Sequence, residues 1–499
     1  MPAGLIVVAA GAVAGLAVEY HWLGWTSIPG GSCGSDYDPC PDGTTPTLLL
    51  AFLFTFAGLG AVGAAVAAFT RIRPGKALPA VLVSAGVLLA LWPGWQAYLW
   101  MRGPVLDPAW EAGRDRPSTV RGLGVWTVGE DAATVVRVRG DALVAYDSRA
   151  GERRWSLRAP VRASVCGMSE RVVDGIGLVA FGRYDEPCDT VWGVDVRSGR
   201  KVWERKISGV PQYTSGSDSL LTADAGVAVA LADGAVHGYD LADGTPSWTA
   251  KLNSTDGDGD AVECQPQVAS AAGGSTRVVV TCTKLGDFRS ARLVTLDNAT
   301  GKERSSRELP VESPVSTVMV VSADPFTLLL KEEDERGVAA VLAYSGSGGD
   351  PVNIPLTADE EDLTVVPTGT SFTARPALLA TVSAGTLVVA ATKPGADEPQ
   401  RVAGYSLRDG QRLWHQDLGG TITALAPAGR GQVAVLGGDD RLWTLAAADG
   451  NRLGEGDGTM VRDVDGKIEN TAQLLRAGDT WIVVNVDGDS HPPVLGVKG

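Results

Sequence analysis

The chain opens on long apolar runs and then changes to short ones. Residues 3–18 (AGLIVVAAGAVAGLAV), 47–69 (TLLLAFLFTFAGLGAVGAAVAAF) and 78–101 (LPAVLVSAGVLLALWPGWQAYLWM) carry no charged residue. A helix rises about 1.5 Å per residue, so roughly 20 apolar residues cross the ~30 Å of bilayer hydrocarbon. The second and third runs meet that length. The first meets it if Glu19 to Trp25 form its interfacial end. The pattern predicts a membrane anchor over 1–102, with three transmembrane helices at about 3–20, 47–69 and 78–101, embedded in the lipid bilayer and followed by a linker over 103–119. A cleaved signal peptide fits less well, because Met1-Pro2-Ala3-Gly4 holds no base and no A-x-A site precedes Glu19.

Beyond residue 118 the apolar positions come in four- to six-residue runs with a fixed companion. The recurring unit is an alternating strand, an Asp, a turn with Gly, then a strand with Trp. Copies are ALVAYDSRAGERRW (142–155), TVWGVDVRSGRKVW (190–203), AVHGYDLADGTPSW (235–248), ARLVTLDNATGKER (291–304), RVAGYSLRDGQRLW (401–414) and RLWTLAAADGNRLG (441–454). A worn copy sits at AAVLAYSGSGGDP (339–351). A repeat of 40–60 residues marks a propeller or an array. The Asp residues accept backbone N–H bonds and open the turn. The glycines Gly151, Gly199, Gly244, Gly301, Gly410 and Gly450 supply the positive φ that closes it. Trp155, Trp203, Trp248 and Trp414 stand four residues further on, each placed to bury its ring between adjacent sheets.

Each turn strand is preceded by one strongly apolar strand. These are TVVRV (134–138), LVAF (178–181), VAVAL (227–231), VVVT (278–281), TLLL (327–330), LVVAA (387–391), VAVL (433–436) and WIVVNV (481–486). The count predicts an all-β propeller of eight blades over 120–499, with seven also open, behind the three transmembrane α-helices. The last blade holds a third strand, PVLGVKG (493–499), and no fourth. VRGLGVWTV (120–128) is free to complete it, or to begin the first blade.

The unit Tyr/Val-x-Asp-x-x-x-Gly-x-x-x-Trp resembles the docking motif of the PQQ-binding-like, or quinoprotein-type, propeller repeat, here in a membrane-anchored bacterial member. Quinoprotein alcohol dehydrogenases share that repeat, as does the eight-bladed lipoprotein of the bacterial outer-membrane assembly machine. The resemblance covers roughly 120–499. It implies the scaffold, and it leaves function open because one propeller hosts many functions. The dehydrogenases hold pyrroloquinoline quinone on the central axis, beside a disulfide of adjacent cysteines and a calcium bound by Glu, Asn and Asp. This chain has no adjacent cysteine pair and no matching carboxylate cluster in one segment. The assembly lipoprotein suggests peptide or protein binding by strand addition.

Charge gives orientation. Residues 1–102 balance four acids against four bases, so the net charge of −15 falls on 103–499. An acidic domain repels nucleic acid. The loop Arg71-Ile72-Arg73-Pro74-Gly75-Lys76 has three bases, whereas residues 19–46 have four acids and no Lys or Arg. The positive-inside rule puts the basic loop and the N-terminus in the cytoplasm and the propeller outside a plasma membrane. The six cysteines fall in close pairs on that outer side: Cys33 with Cys40, Cys166 with Cys188, Cys264 with Cys282. Disulfides suit an oxidising space, and the spacings and scattered histidines do not suit zinc.

No catalytic motif, cofactor site or metal site emerges. There is no G-x-S-x-G, H-E-x-x-H or Walker loop. The run Asp256-Gly257-Asp258-Gly259-Asp260 has Ala261 and Gln267 where a calcium loop needs Gly and Glu. Asn253-Ser254-Thr255 and Asn298-Ala299-Thr300 fit the glycosylation pattern, though turn propensity accounts for Asn298. The expectation is a non-enzymatic, multi-pass membrane protein whose propeller binds or scaffolds envelope proteins or cell-wall ligands. A sensor working through a membrane partner is the second reading, and a quinone-dependent dehydrogenase the third.

Overall fold

Three helices come first, as the hydropathy requires: α1 (Pro2–Thr26), α2 (Thr44–Ile72) and α3 (Ala77–Arg102), with Pro93 inside α3. A computed structural model describes the chain except for residues 1, 27–39, 41–42, 73–76, 103–104, 116–119, 129–132, 184–185, 211–219, 256–260, 345–348, 359, 368–373, 430, 454–457, 462–466, 470 and 499. All three helices are long and apolar enough to cross a membrane. Small residues let α1 approach α3: a Cβ on Gly11 would overlap the Val83 backbone, and one on Gly86 the Val8 backbone. Tyr20 donates to the Gly94 carbonyl (3.1 Å), and His21 Nε2 lies 3.0 Å from the Thr55 hydroxyl. Met1–Leu106 with Thr459–Asp465 form one compact unit, and Asp107–Gly458 with Gly466–Gly499 form the other.

The second unit is an eight-bladed β-propeller. The first blade is the meander of β2 (Gly122–Val128), Thr134–Arg139, Ala142–Asp147 and Arg153–Arg158. The other blades follow the same in-to-out order, and each apolar run found in the sequence is the strand next to the innermost one. Those strands are sealed on both faces; in Val227–Ala232 every residue is buried. This explains why they read as continuous apolar runs while the outermost strands, such as Arg153–Arg158, alternate.

Two expectations about residues 103–128 change. The stretch 103–119, read as a linker, contains the strand β1 (Val105–Glu111), which pairs antiparallel with Val494–Lys498: Asp107 opposite Lys498, Pro108 opposite Val497, Trp110 opposite Gly496 and Glu111 opposite Leu495. It is the missing fourth strand of the last blade. Residues 120–128 therefore do not close the ring; 122–128 are the innermost strand of the first blade. A strand's position in the ring is set by pairing and not by order along the chain, so no local pattern distinguished the two choices.

Trp110→Ala is expected to destabilise the propeller by about 3–5 kcal/mol, the usual cost of emptying a buried indole site. The readouts are a lower thermal midpoint of the detergent-solubilised protein and new protease cuts in the first and last blades. A variant with an unchanged midpoint would contradict closure through this residue.

Turn chemistry gives a second expectation. A hydrogen bond from Arg304, then one from the Thr300 hydroxyl, hold the Asp297 carboxylate at about 2, below its ordinary 3.8. A depressed carboxylate contributes stability above its ordinary pKa and loses it as pH falls through the folded value. The stability gap between the native protein and Asp297→Asn should thus close as pH drops from 3.8 to about 2. Thermal melts across that window measure it.

Candidate functional site

The blades are held by one repeated contact, and it shows what the ring seam is made of. In each full copy the outer-strand tryptophan lies against the turn glycine of the next blade, where a Cβ would overlap the indole: Trp155 on Gly199, Trp203 on Gly244, Trp248 on Gly301 and Trp414 on Gly450. The indole N–H donates to a carbonyl beside that turn, at Val196 (3.1 Å), Leu241 (2.8 Å), Asn298 (2.8 Å) and Ala447 (2.9 Å) respectively. Each glycine takes positive φ, from +66° to +71° in the last three. Gly151, at φ +70°, receives Trp110, whose indole donates to Ser148 O at 3.1 Å. Trp110 is the docking residue that sequence reading missed, because it precedes its blade instead of ending it. The available signal was Gly496, which lies under Trp110 as Gly193, Gly238 and Gly404 lie under Trp203, Trp248 and Trp414. Gly410 receives no indole; Asn353 O and Val352 face it. Ser305 stands four residues after Gly301, where the full copies have Trp.

Two cysteine pairs are disulfides, Cys166–Cys188 and Cys264–Cys282. Cys33 lies outside the described residues, as does the acidic run 256–260.

At the seam, a fully buried arginine ties the first blade to the last. Arg137 donates from Nε to Asn485 O (3.1 Å), from Nη2 to Val486 O (2.7 Å) and from Nη1 to Asp115. The other Asp115 oxygen accepts from Arg139, which also grips Asp141. Burial pulls the Arg137 guanidinium down, and Asp115 opposes that shift. The 486–487 turn is held in turn by Glu469, whose two oxygens accept from Val486 N (2.8 Å) and Asp487 N (2.7 Å). Asp487 and His491 bring their ligand atoms within 4.8 Å of it and of each other. Glu469 and Asp487 both cap backbone N–H groups, so the cluster's evident work is holding this loop.

Above this staple lies a cavity of about 780 Å³ between the 111–115 segment and the face of the first blade. Arg139, Asp141, Arg153, Ser156 and Arg158 line it, with Arg114 opposite. Its acids are engaged: Asp115 and Asp141 by Arg139, Glu111 by Lys467. Arg114, Arg153 and Arg158 have no acidic partner among the described residues.

The axis is the other place a propeller offers a ligand. Ala374 N and Arg375 N, from a segment inserted in the sixth blade, both donate to Leu123 O (2.9 and 3.0 Å) at the inner edge of the first blade. Ala374 packs with Trp126, Val128 and Met168, and Ala377 with Val125, Val135 and Ile482. Arg171 reaches from the second blade to Ala223 O and Ala271 O. The chain's own backbone and apolar side chains thus meet at the inner edges of the blades.

Fold and helices together define a membrane-anchored eight-bladed propeller of the PQQ-binding-like class. The family model described as outer membrane protein assembly factor BamB matches residues 95–352 and again 232–421, and the chain belongs to that family. Comparison with curated proteins returns no match. Among solved structures, BamB from Moraxella catarrhalis is 16% identical over 76% of this chain and 84% of that one, with a TM-score of 0.33. A europium-containing methanol dehydrogenase is 13% identical over 76% and 84% (TM-score 0.42), and Saccharomyces cerevisiae Sqt1 is 9% identical over 78% and 98% (TM-score 0.43).

Arg137→Met is expected to cost about 3–5 kcal/mol, because one partner of a buried ion pair is left behind and two carbonyls lose their donor. Arg139→Met, whose loss leaves Asp115 paired, should cost less. Chemical denaturation of the two variants side by side checks the order.

Proposed function

We propose that the helices hold the propeller outside a plasma membrane, where it works as a binding or scaffold module for envelope proteins or cell-wall ligands and not as a quinone enzyme. The observation that carries the reading is the inserted 374–379 segment bonded to the inner edge of the first blade, which leaves blade faces and edges as the surface on offer. The orientation rests on the charge asymmetry of the two interhelical loops and on two disulfides within the propeller. Loops and edges of a rigid scaffold are the usual carriers of recognition.

Crosslinking in intact cells, followed by mass spectrometry of the full chain, is expected to recover one or a few envelope proteins reproducibly; recovery of none would sink the binding reading. Adding pyrroloquinoline quinone and calcium to the purified full-length protein should leave no cofactor absorbance after desalting. A retained stoichiometric band would restore the dehydrogenase reading.

A further inference from the structure

The seam cavity departs in charge from the domain around it. The propeller is strongly acidic as a whole, yet residues 112–163 hold ten arginines against six carboxylates and no lysine. The excess is placed and not diffuse. On the outermost strand of the first blade, Arg153, Ser156 and Arg158 stand opposite Tyr146, Val144 and Ala142, so all three project from the face that lines the cavity. Successive side chains on one face of a strand are ~7 Å apart, which spaces the backbone positions of Arg153 and Arg158 over roughly 13–14 Å. Arg114 faces them from the closing segment.

A second basic cavity, of about 770 Å³, flanks the same turn. Arg149 projects from that turn, and Arg476 and Lys498 of the last blade join it, with Asp479 as the acid of this group. Arg476 is committed to the Ala428 and Gly478 carbonyls, and it lies 5.4 Å from the Trp481 ring centre. Arg149 and Lys498 have no acidic partner among the described residues. The turn carrying Gly151, against which Trp110 of the closing strand packs, thus sits between two cationic hollows.

Exposed arginines clustered around one hollow make a local positive patch that attracts an anionic ligand, even on a domain of opposite overall sign. Arginine suits that ligand, since its planar fork grips carboxylates two bonds at a time. Beside the arginines the partly exposed Ala159, Pro160 and Ala163 give the cavity an apolar edge, and Val161, next to them in the chain, is 93% exposed. A uniformly polar polymer has no use for that edge. A peptide that alternates carboxylates with apolar side chains does.

We propose that the groove between residues 111–115 and the outer strand of the first blade binds an extended acidic segment of a protein partner, its carboxylates held by Arg153, Arg158 and Arg114. The proposal rests on the binding-module reading and names the chemistry of its ligand. It also gives the seam a second role, because the residues that close the ring form one wall of the groove.

The test uses the full-length protein in detergent and a fluorescein-labelled ten-residue peptide alternating Glu with Val, read by anisotropy. The comparison peptide carries Gln at every Glu. Saturable binding of the Glu peptide is expected, at least tenfold tighter than the Gln peptide, weakening several-fold as salt rises and screens the contacts. The double variant Arg153→Glu/Arg158→Glu should weaken it at least tenfold, whereas Arg289→Glu, an exposed arginine of the fourth blade, should not. Circular dichroism melts confirm that both variants fold. Equal binding of the two peptides, or equal loss in the two variants, would overturn the assignment. Inorganic polyphosphate that binds tighter than the Glu peptide and displaces it would replace the peptide with a phosphate polymer and overturn it as well. Failure here with partners still recovered by crosslinking would remove only this groove; failure of both would remove the module reading itself.

Discussion

Everything in the propeller depends on one antiparallel pairing between residues nearly 400 positions apart, Asp107–Glu111 with Leu495–Lys498. A closed ring has no free first or last sheet, and each blade covers its neighbour's face. Without that pairing the first and last blades would each expose an apolar flank, Val125, Val135 and Val144 on one side and Ile482, Val484 and Val494 on the other. Trp110 and Arg137 then fasten the joined edge by different physics. The indole fills the space left by Gly151, and the guanidinium satisfies two carbonyls and a carboxylate that burial would otherwise leave unpaired.

How much of this was legible follows from range. The blades were readable because each is a local meander: alternating strand, Asp, Gly, Trp within some 14 residues. Trp155, Trp203, Trp248 and Trp414 fall on the glycines the pattern assigned to neighbouring turns. Trp110 obeys the same rule but was hidden by permutation, since its strand opens the domain while its partners Gly496 and Lys498 end it. The two helix runs with full hydrophobic length were plain, and α1 extends past Glu19 to Thr26 as its interfacial end required. The inserted 374–379 segment and the Arg137 staple could not be read, because each joins residues from different blades and leaves no periodic trace. The arginine excess of the first blade was on the page of the sequence, but it was masked by summing charge over the whole domain.

The worn copies carry a physical lesson too. Where Ser305 replaces tryptophan, the outer strand Glu303–Glu308 is exposed almost throughout, and Arg307 reaches across to Gly349 O instead. Where Gly410 meets Asn353 and Val352, backbone and a small side chain take the place of an indole. The sixth blade compensates with a buried carboxylate, Glu361, held by Tyr405 (2.7 Å), Arg401 and Arg412. Burial and Glu361 together push the Tyr405 hydroxyl well above its ordinary range. Loss of the repeated hydrophobic contact is met there by a polar network, which specifies position more than it adds burial.

The closing strand also imposes a timetable. Ribosomes deliver the chain from one end, so β1 emerges directly after α3 and has no antiparallel partner until the final strand has been made. During that interval seven blades can assemble while the eighth waits, with its tryptophan and its apolar flank uncovered. A chaperone or a competing strand has its opening then, and any stall in delivery would be felt first at the seam.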